Sequence, residues 1–207
     1  MYMNVNINEV MCFMNYCDKI KKIADNNNGI VYAKNLEKQK IHRQFIAELE
    51  KKGYLTRIMK GVYVRNDVDL SEFWVLSKRY KNGIFSHNTA LYFYNMTDRT
   101  PLKIDLTFPS NNRIHNEFLK IHYVKKENHK IGATNIKLED GTELNIYNIE
   151  RTICDIIRDR NKIDPQILNK ALNEYVKRKD KNLPLLYEYA KIFRIDKILI
   201  QYMEVLQ

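Results

Sequence analysis

In residues 41–65, IHRQFIAELEKKGYLTRIMKGVYVR, the spacing of apolar residues changes at one glycine. Before Gly53, the residues Ile41, Phe45, Ile46 and Leu49 recur every three to four positions, the period of a single buried stripe on an α-helix. Beyond it, YLTRI and GVYVR alternate with β-branched and aromatic side chains and join through Met59-Lys60-Gly61, the pattern of a hairpin. Gly53 suits the helix C-cap, because a residue without Cβ enters positive φ freely. Upstream, Val10, Phe13, Met14, Cys17, Ile20, Ile23 and Ala24 mark a first helix over about 7–24. DNNNG at 25–29 stops it, and IVYAKNLEKQ supports a short second helix from near Val31 to near Lys38. Three helices followed by a hairpin are the order of a winged helix-turn-helix, expected here over residues 1–66.

Beyond Arg65 the pattern changes. SEFWVLSKRY (71–80) reads as helix, NGIFSH breaks it, and NTALYFYNM (88–96) reads as a second helix with Ser86 or Asn88 as N-cap. LKIDLTF, bracketed by Pro101 and Pro109, alternates as a strand. KIHYV (120–124), ATNIKL (133–138) and ELNIYNI (143–149) are further strands, with Asp140-Gly141 as the tight turn between the last two. From Glu150 the chain is helical, through ERTICDIIRDR, DPQILNKALNEYVKR with Pro165 in its first turn, LPLLYEYAKIF and DKILIQYMEVL. The expected fold class is therefore α+β: an N-terminal winged helix-turn-helix domain and a mixed α/β C-terminal domain over 67–207 with a helical end. The boundary is expected near 66–70, in NDVDL.

Among the 207 residues, 44% are hydrophobic, 29% are charged, and there are only 6 Gly and 4 Pro, a folded composition with few linkers. No apolar run approaches the roughly 20 residues needed to span a bilayer. MYMNVNINEVMCF lacks a basic region ahead of its apolar residues, so no secretory signal and no membrane partner are expected. Cys12, Cys17 and Cys154 are odd in number and lack CxxC spacing, which fits a reducing cytoplasmic setting.

The 35 Lys and Arg outweigh 25 Asp and Glu, for a formal charge of +10. Residues 1–66 hold 12 of these basic side chains against 6 acidic ones, so the positive field is concentrated on the helix–hairpin third of the chain. Such a field favours phosphate polymers. A recognition helix needs a buried stripe and an outer face of hydrogen-bond donors. Arg43 and Gln44, early in the third helix, carry the chemistry to read guanine and adenine edges, with His42 beside them. Lys38 and Lys40 in the preceding turn, and Arg57 and Lys60 on the hairpin, suit phosphate.

Three segments resemble, in order, the AbiEi family of antitoxins from type IV toxin–antitoxin (abortive infection) systems. They are the helix followed by KKGYLTRIMKGVYV, then SHNTALYFYNMTDRTPLKIDLTFPS and IYNIERTICDII, and the resemblance covers about residues 15–160. The resemblance implies a bacterial, cytoplasmic autorepressor that binds inverted repeats in its own double-stranded promoter DNA. It also implies a C-terminal domain that counters a nucleotidyltransferase-like toxin without forming a stable complex. An antitoxicity surface would then include Arg151, Arg158, Arg160 and Lys162. The same ERTICD junction is also readable as a plain helix start, with Glu150 at the positive end of the dipole and Arg151 paired to Asp155 at i, i+4. The alternative functional class is a protein-binding module whose basic face grips an acidic toxin directly.

Catalysis is not expected. Asp105 with Glu139 and Asp140 suggests carboxylates around a metal, yet Glu139-Asp140-Gly141 reads better as a turn. His87, His115, His122 and His129 lack HxH or HxxxH spacing, and no phosphate-binding glycine motif or nucleophile elbow occurs. Cys154, on an apolar helix face, reads as a core cysteine. No catalytic residue, metal site or cofactor follows from the sequence.

Overall fold

The computed structural model describes residues 7–206 apart from Asn112 and Asp140, with side chains from Asn15 onward. The expected contributions of the Val10, Phe13 and Met14 side chains to the first stripe and any role of the Cys12 thiol lie outside the described side chains, and the Asp140 turn position lies outside the described residues. The chain is mixed α+β, with nine α-helices and two sheets among the described residues. It forms two compact units, one up to Arg79 and one from Tyr80. No described helix is long and apolar enough to cross a membrane.

The first unit runs α1 (Ile7–Asp25), β1 (Ile30–Tyr32), α2 (Ala33–Lys38), α3 (Gln44–Lys51), β2 (Leu55–Met59), β3 (Val62–Arg65) and α4 (Glu72–Arg79). Ile41, Phe45, Ile46 and Leu49 are all buried, as the three-to-four spacing requires. They pack with Cys17, Ile20, Ala24, Val31, Leu36 and Leu55, and Tyr16 stacks on Phe45 at 4.8 Å. Gly53 closes α3 at φ +71° and Gly61 turns the hairpin at φ +77°. The strand order is β1-β3-β2, antiparallel throughout, with a bulge in β2 between Arg57 and Met59.

The sequence places the start of the second helix at Val31; residues 30–32 instead form β1, opposite Val64, Tyr63 and Val62. Three β-branched or aromatic residues are too short a run to show a period of two, and the pairing with β3 decides the matter. The expected boundary at 66–70 precedes α4, whereas the compact units divide after it. Trp74 of α4 packs with Ile30, Val62 and Val64 of the small sheet, which draws that helix into the first unit.

The second unit runs β4 (Ile84–Phe85), α5 (His87–Phe93), β5 (Ile104–Pro109), β6 (Leu119–Val124), β7 (Ala133–Lys137), β8 (Glu143–Tyr147), α6 (Ile149–Arg158), α7 (Pro165–Lys177), α8 (Leu183–Ile192) and α9 (Asp196–Val205). The sheet order is β6-β5-β4-β8-β7. β4 is parallel to β8 and antiparallel to β5, while β5 and β6 run parallel. NGIFSH, read from sequence as a break, thus contains the central strand of the sheet. Its two residues are wholly buried, and two residues cannot display alternation. Asn148, Asp164 and Asn182 cap α6, α7 and α8 by accepting bonds from the Arg151, Gln166 and Leu185 amides, satisfying orphan donors of each first turn. The helical core centres on α6, whose Ile153, Cys154, Ile156 and Ile157 are buried against Leu172, Tyr175, Leu186 and Leu199.

Candidate functional site: a basic helix–hairpin face and a buried histidine–aspartate cluster

Lys38, Lys40, His42, Arg43, Gln44, Arg57 and Lys60 are all exposed. Lys38 ends α2, and Lys40 takes φ +57° in the turn that follows. His42 Nδ1 accepts the Gln44 amide at 3.3 Å, capping the start of α3. Arg43 occupies the N-cap position and donates Nε–H to Glu37 Oε1 at 2.7 Å, with a second guanidinium nitrogen against the same oxygen. The sequence did not signal this pairing, which occupies the residue best suited to a base edge. It is well exposed, so breaking it costs little. Arg57 and Lys60 belong to β2 and its turn, joined to α3 through Leu49 and Leu55 in the shared core. Lys52 pairs with Glu48 at 3.6 Å, a solvated end of α3.

The expected antitoxicity surface needs a correction. Arg151 is 0% exposed and cannot belong to any surface. Its Nε donates to Asp155 at 3.0 Å and its Nη1 to the carbonyls of Asn128 and Ile131 at 2.8 and 2.6 Å. Its guanidinium carbon lies 4.1 Å from the Tyr147 ring centre and 4.2 Å from that of Phe193. Arg158 is half-buried, 2.9 Å from Asp155 Oδ1; Arg160 donates to the Ile157 carbonyl; Lys162 alone of the four is exposed. Glu150 is buried too, accepting from the Asn182 amide at 2.9 Å and from the Tyr175 hydroxyl. ERTICD is thus a packed junction, in line with the structural reading of that motif. Cys154 is equally buried, and burial pushes its thiol up to about 12. Iodoacetamide is expected to leave Cys154 unmodified in the native chain and to label it only in denaturant, as peptide mass analysis would show.

The histidines that look unrelated in sequence do meet. Asp105 and Thr107 are the polar residues on one face of β5, whose other face carries Ile104, Leu106 and Phe108, and all five are buried. His122 on β6 stands in register with Thr107, and its Nε2 lies 2.6 Å from Asp105 Oδ1. His87 opens α5 at φ +46°, a sparsely populated conformation that persists only where surroundings enforce it. Its ring stacks on that of His122, with centroids 3.5 Å apart and 9° between planes. Asp159, just after α6, sets Oδ2 3.5 Å from His87 Nε2 and 3.6 Å from His122 Nδ1. Ser86, at the N-cap of α5, makes no cap bond; its hydroxyl instead meets His87 Nδ1 at 3.0 Å and accepts from Thr107 Oγ1 at 2.8 Å.

The electrostatics follow from the packing. Burial pushes the His87 pKa down. Burial also opposes charge on His122, but the flanking Asp105 and Asp159 carboxylates outweigh it and raise the pKa. The imidazoles of His122 and His87 hold the Asp159 carboxyl far below the usual range. A cleft of about 410 Å³ opens beside the cluster, with Asp105 and Asn88 in its wall and Arg99, Lys103, Lys120 and Lys162 around them. Lys162 therefore lines a basic cleft, whereas His129 is a structural residue whose Nε2 faces the Thr107 carbonyl, and His115 is exposed. Of the carboxylates weighed from sequence, Asp105 joins the cluster and Glu139 is exposed. The one local signal was the pair of polar residues, Asp105 and Thr107, inside an otherwise apolar strand. The chain matches no protein-family model, and no significant relative is found among curated proteins.

Proposed function

We propose that this protein is a DNA-binding autorepressor and antitoxin of a type IV toxin–antitoxin operon, its first unit a winged helix that reads promoter inverted repeats. One observation carries the reading: α3 buries its entire apolar stripe and leaves His42, Arg43 and Gln44 exposed at its N-terminal end, directly before a hairpin carrying Arg57 and Lys60. The order α1, β1, α2, α3, β2, β3 with a three-stranded antiparallel sheet supports it further, because that order sets a recognition helix and a wing on one small core. In this reading Arg43 exchanges Glu37 for a base edge, and Lys38, Lys40, Arg57 and Lys60 contact phosphates. The second unit acts on the effect of a nucleotidyltransferase-like toxin without a stable complex, and Lys162 with its basic cleft is the surface suited to that role.

Footprinting of the full chain on its own promoter tests the proposal. Protection of an inverted repeat, lost in high salt, is the expected result. Lys60→Ala should weaken operator and random DNA alike and lower the slope of log K against log salt by about 1. A promoter left unprotected, together with a salt-resistant stoichiometric complex between the chain and the product of the adjacent gene, would replace it with the protein-binding reading.

A further inference from the structure

We propose that His87, His122 and Asp159 form a binding site for a zinc-type divalent cation in the second unit, with Asp105 and Ser86 orienting the two imidazoles. The inference concerns side chains remote in sequence from the helix–hairpin face and does not rest on the DNA-binding reading.

Four observations support it. His87 and His122 belong, with Asp105, to the only group among the described residues whose donor atoms all lie within 4.8 Å of one another; Asp159 stands outside that group and completes the site once the rings move. His87 Nε2 is buried without a hydrogen-bond partner, a state that costs desolvation energy and calls for an explanation. His87 Nε2 and His122 Nδ1 both face Asp159 Oδ2, at 3.5 and 3.6 Å. Those separations are too long for good hydrogen bonds. They are close to the roughly 3.3 Å edge between ligands that sit 2.0–2.1 Å from a tetrahedral ion. Finally, the far nitrogen of each ring is already engaged, His122 Nε2 by the Asp105 carboxylate at 2.6 Å and His87 Nδ1 by the Ser86 hydroxyl at 3.0 Å. A carboxylate behind a histidine is the arrangement that fixes the tautomer and orientation of a metal-binding imidazole.

Two imidazoles and one carboxylate select a first-row ion such as zinc over magnesium or calcium, which prefer oxygen. Binding requires the stacked rings to fan apart until their lone pairs converge. The ion replaces any proton held between the rings and Asp159, and ties together the start of α5, strand β6 and the end of α6. The positive φ of His87 is consistent with a backbone held to aim that ring.

The test uses the full chain, stripped with chelator and titrated with zinc chloride, then with cobalt as a visible probe. One equivalent should bind, with a tetrahedral cobalt spectrum, shifts of both imidazole resonances, and a rise in Tm of roughly 5 °C or more at 100-fold excess over Kd. Asp159→Asn, at a partly exposed helix end, and His87→Ala should abolish stoichiometric binding. Asp105→Asn should weaken it about 10–100-fold, and His115→Ala should leave it unchanged. No uptake by the wild-type chain at micromolar zinc would overturn the proposal, as would equal uptake by Asp159→Asn.

Discussion

Replacing Arg151 with alanine is expected to lower the Tm of the second unit by roughly 10 °C or more, from a loss of about 3–5 kcal/mol. The side chain is wholly buried, and three of its bonds end on the buried Asp155 carboxylate and the partly buried carbonyls of Asn128 and Ile131. Removing it strands those acceptors and empties the space between Tyr147 and Phe193, so an electrostatic loss and a cavity arise together. Arg151→Lys should not rescue, since a single ammonium cannot reach a carboxylate and two carbonyls in the plane of a guanidinium fork. Gly132→Ala should strain the same spot, because a Cβ there would lie 2.5 Å from that of Arg151 at φ +75°. Thermal melts by circular dichroism measure the effect, while the fluorescence of the single tryptophan, Trp74, monitors the first unit separately. A Tm within about 2 °C of wild type would show that Arg151 does not anchor the junction.

The second large effect is expected in DNA binding. The double variant Arg43→Ala, Gln44→Ala should weaken operator binding roughly 100-fold or more, since each good bidentate base contact contributes about 1–3 kcal/mol of discrimination. Affinity for random DNA should fall much less, because Lys38, Lys40, Arg57 and Lys60 remain. Neither position supports the core of the first unit: both side chains are exposed, and Arg43 meets only Glu37 among its described ion pairs. Loss of binding could then not be ascribed to unfolding, which the Trp74 signal would check. A double variant that footprints the operator as the wild type does would remove α3 as the reading helix.

The comparison of expectation and outcome turns on which residues speak through local order. The stripe of α3, its glycine stop and the following hairpin are each encoded within about ten residues, and they lie where their periods place them. Strands β5 to β8 were legible for the same reason. β1 and β4 were not, because two or three residues carry no period and exist as strands only through their partners β3, β5 and β8. Among the site residues, the exposure of Lys38, Lys40, His42, Arg43, Gln44, Arg57 and Lys60 followed from the buried stripe and the hairpin turn. The ion pair of Arg43 with Glu37 did not, since it depends on how the turn after α2 folds back.

The sequence by itself determined the order of helices and hairpin, the concentration of positive charge in the first third of the chain, and the buried face of α6. All of these depend on neighbours three or four residues apart, or on composition. The tertiary structure alone decided that Arg151 is a core residue and that His87, Asp105, His122 and Asp159 converge. The i, i+4 pairing of Arg151 with Asp155 is the same on an exposed helix face as on a buried one, and burial came from the Asn128 and Ile131 carbonyls and two aromatic rings closing over it. The four cluster residues sit on α5, β5, β6 and the end of α6. They meet because β5 and β6 pair in parallel with Thr107 opposite His122, a register that no local spacing of histidines encodes.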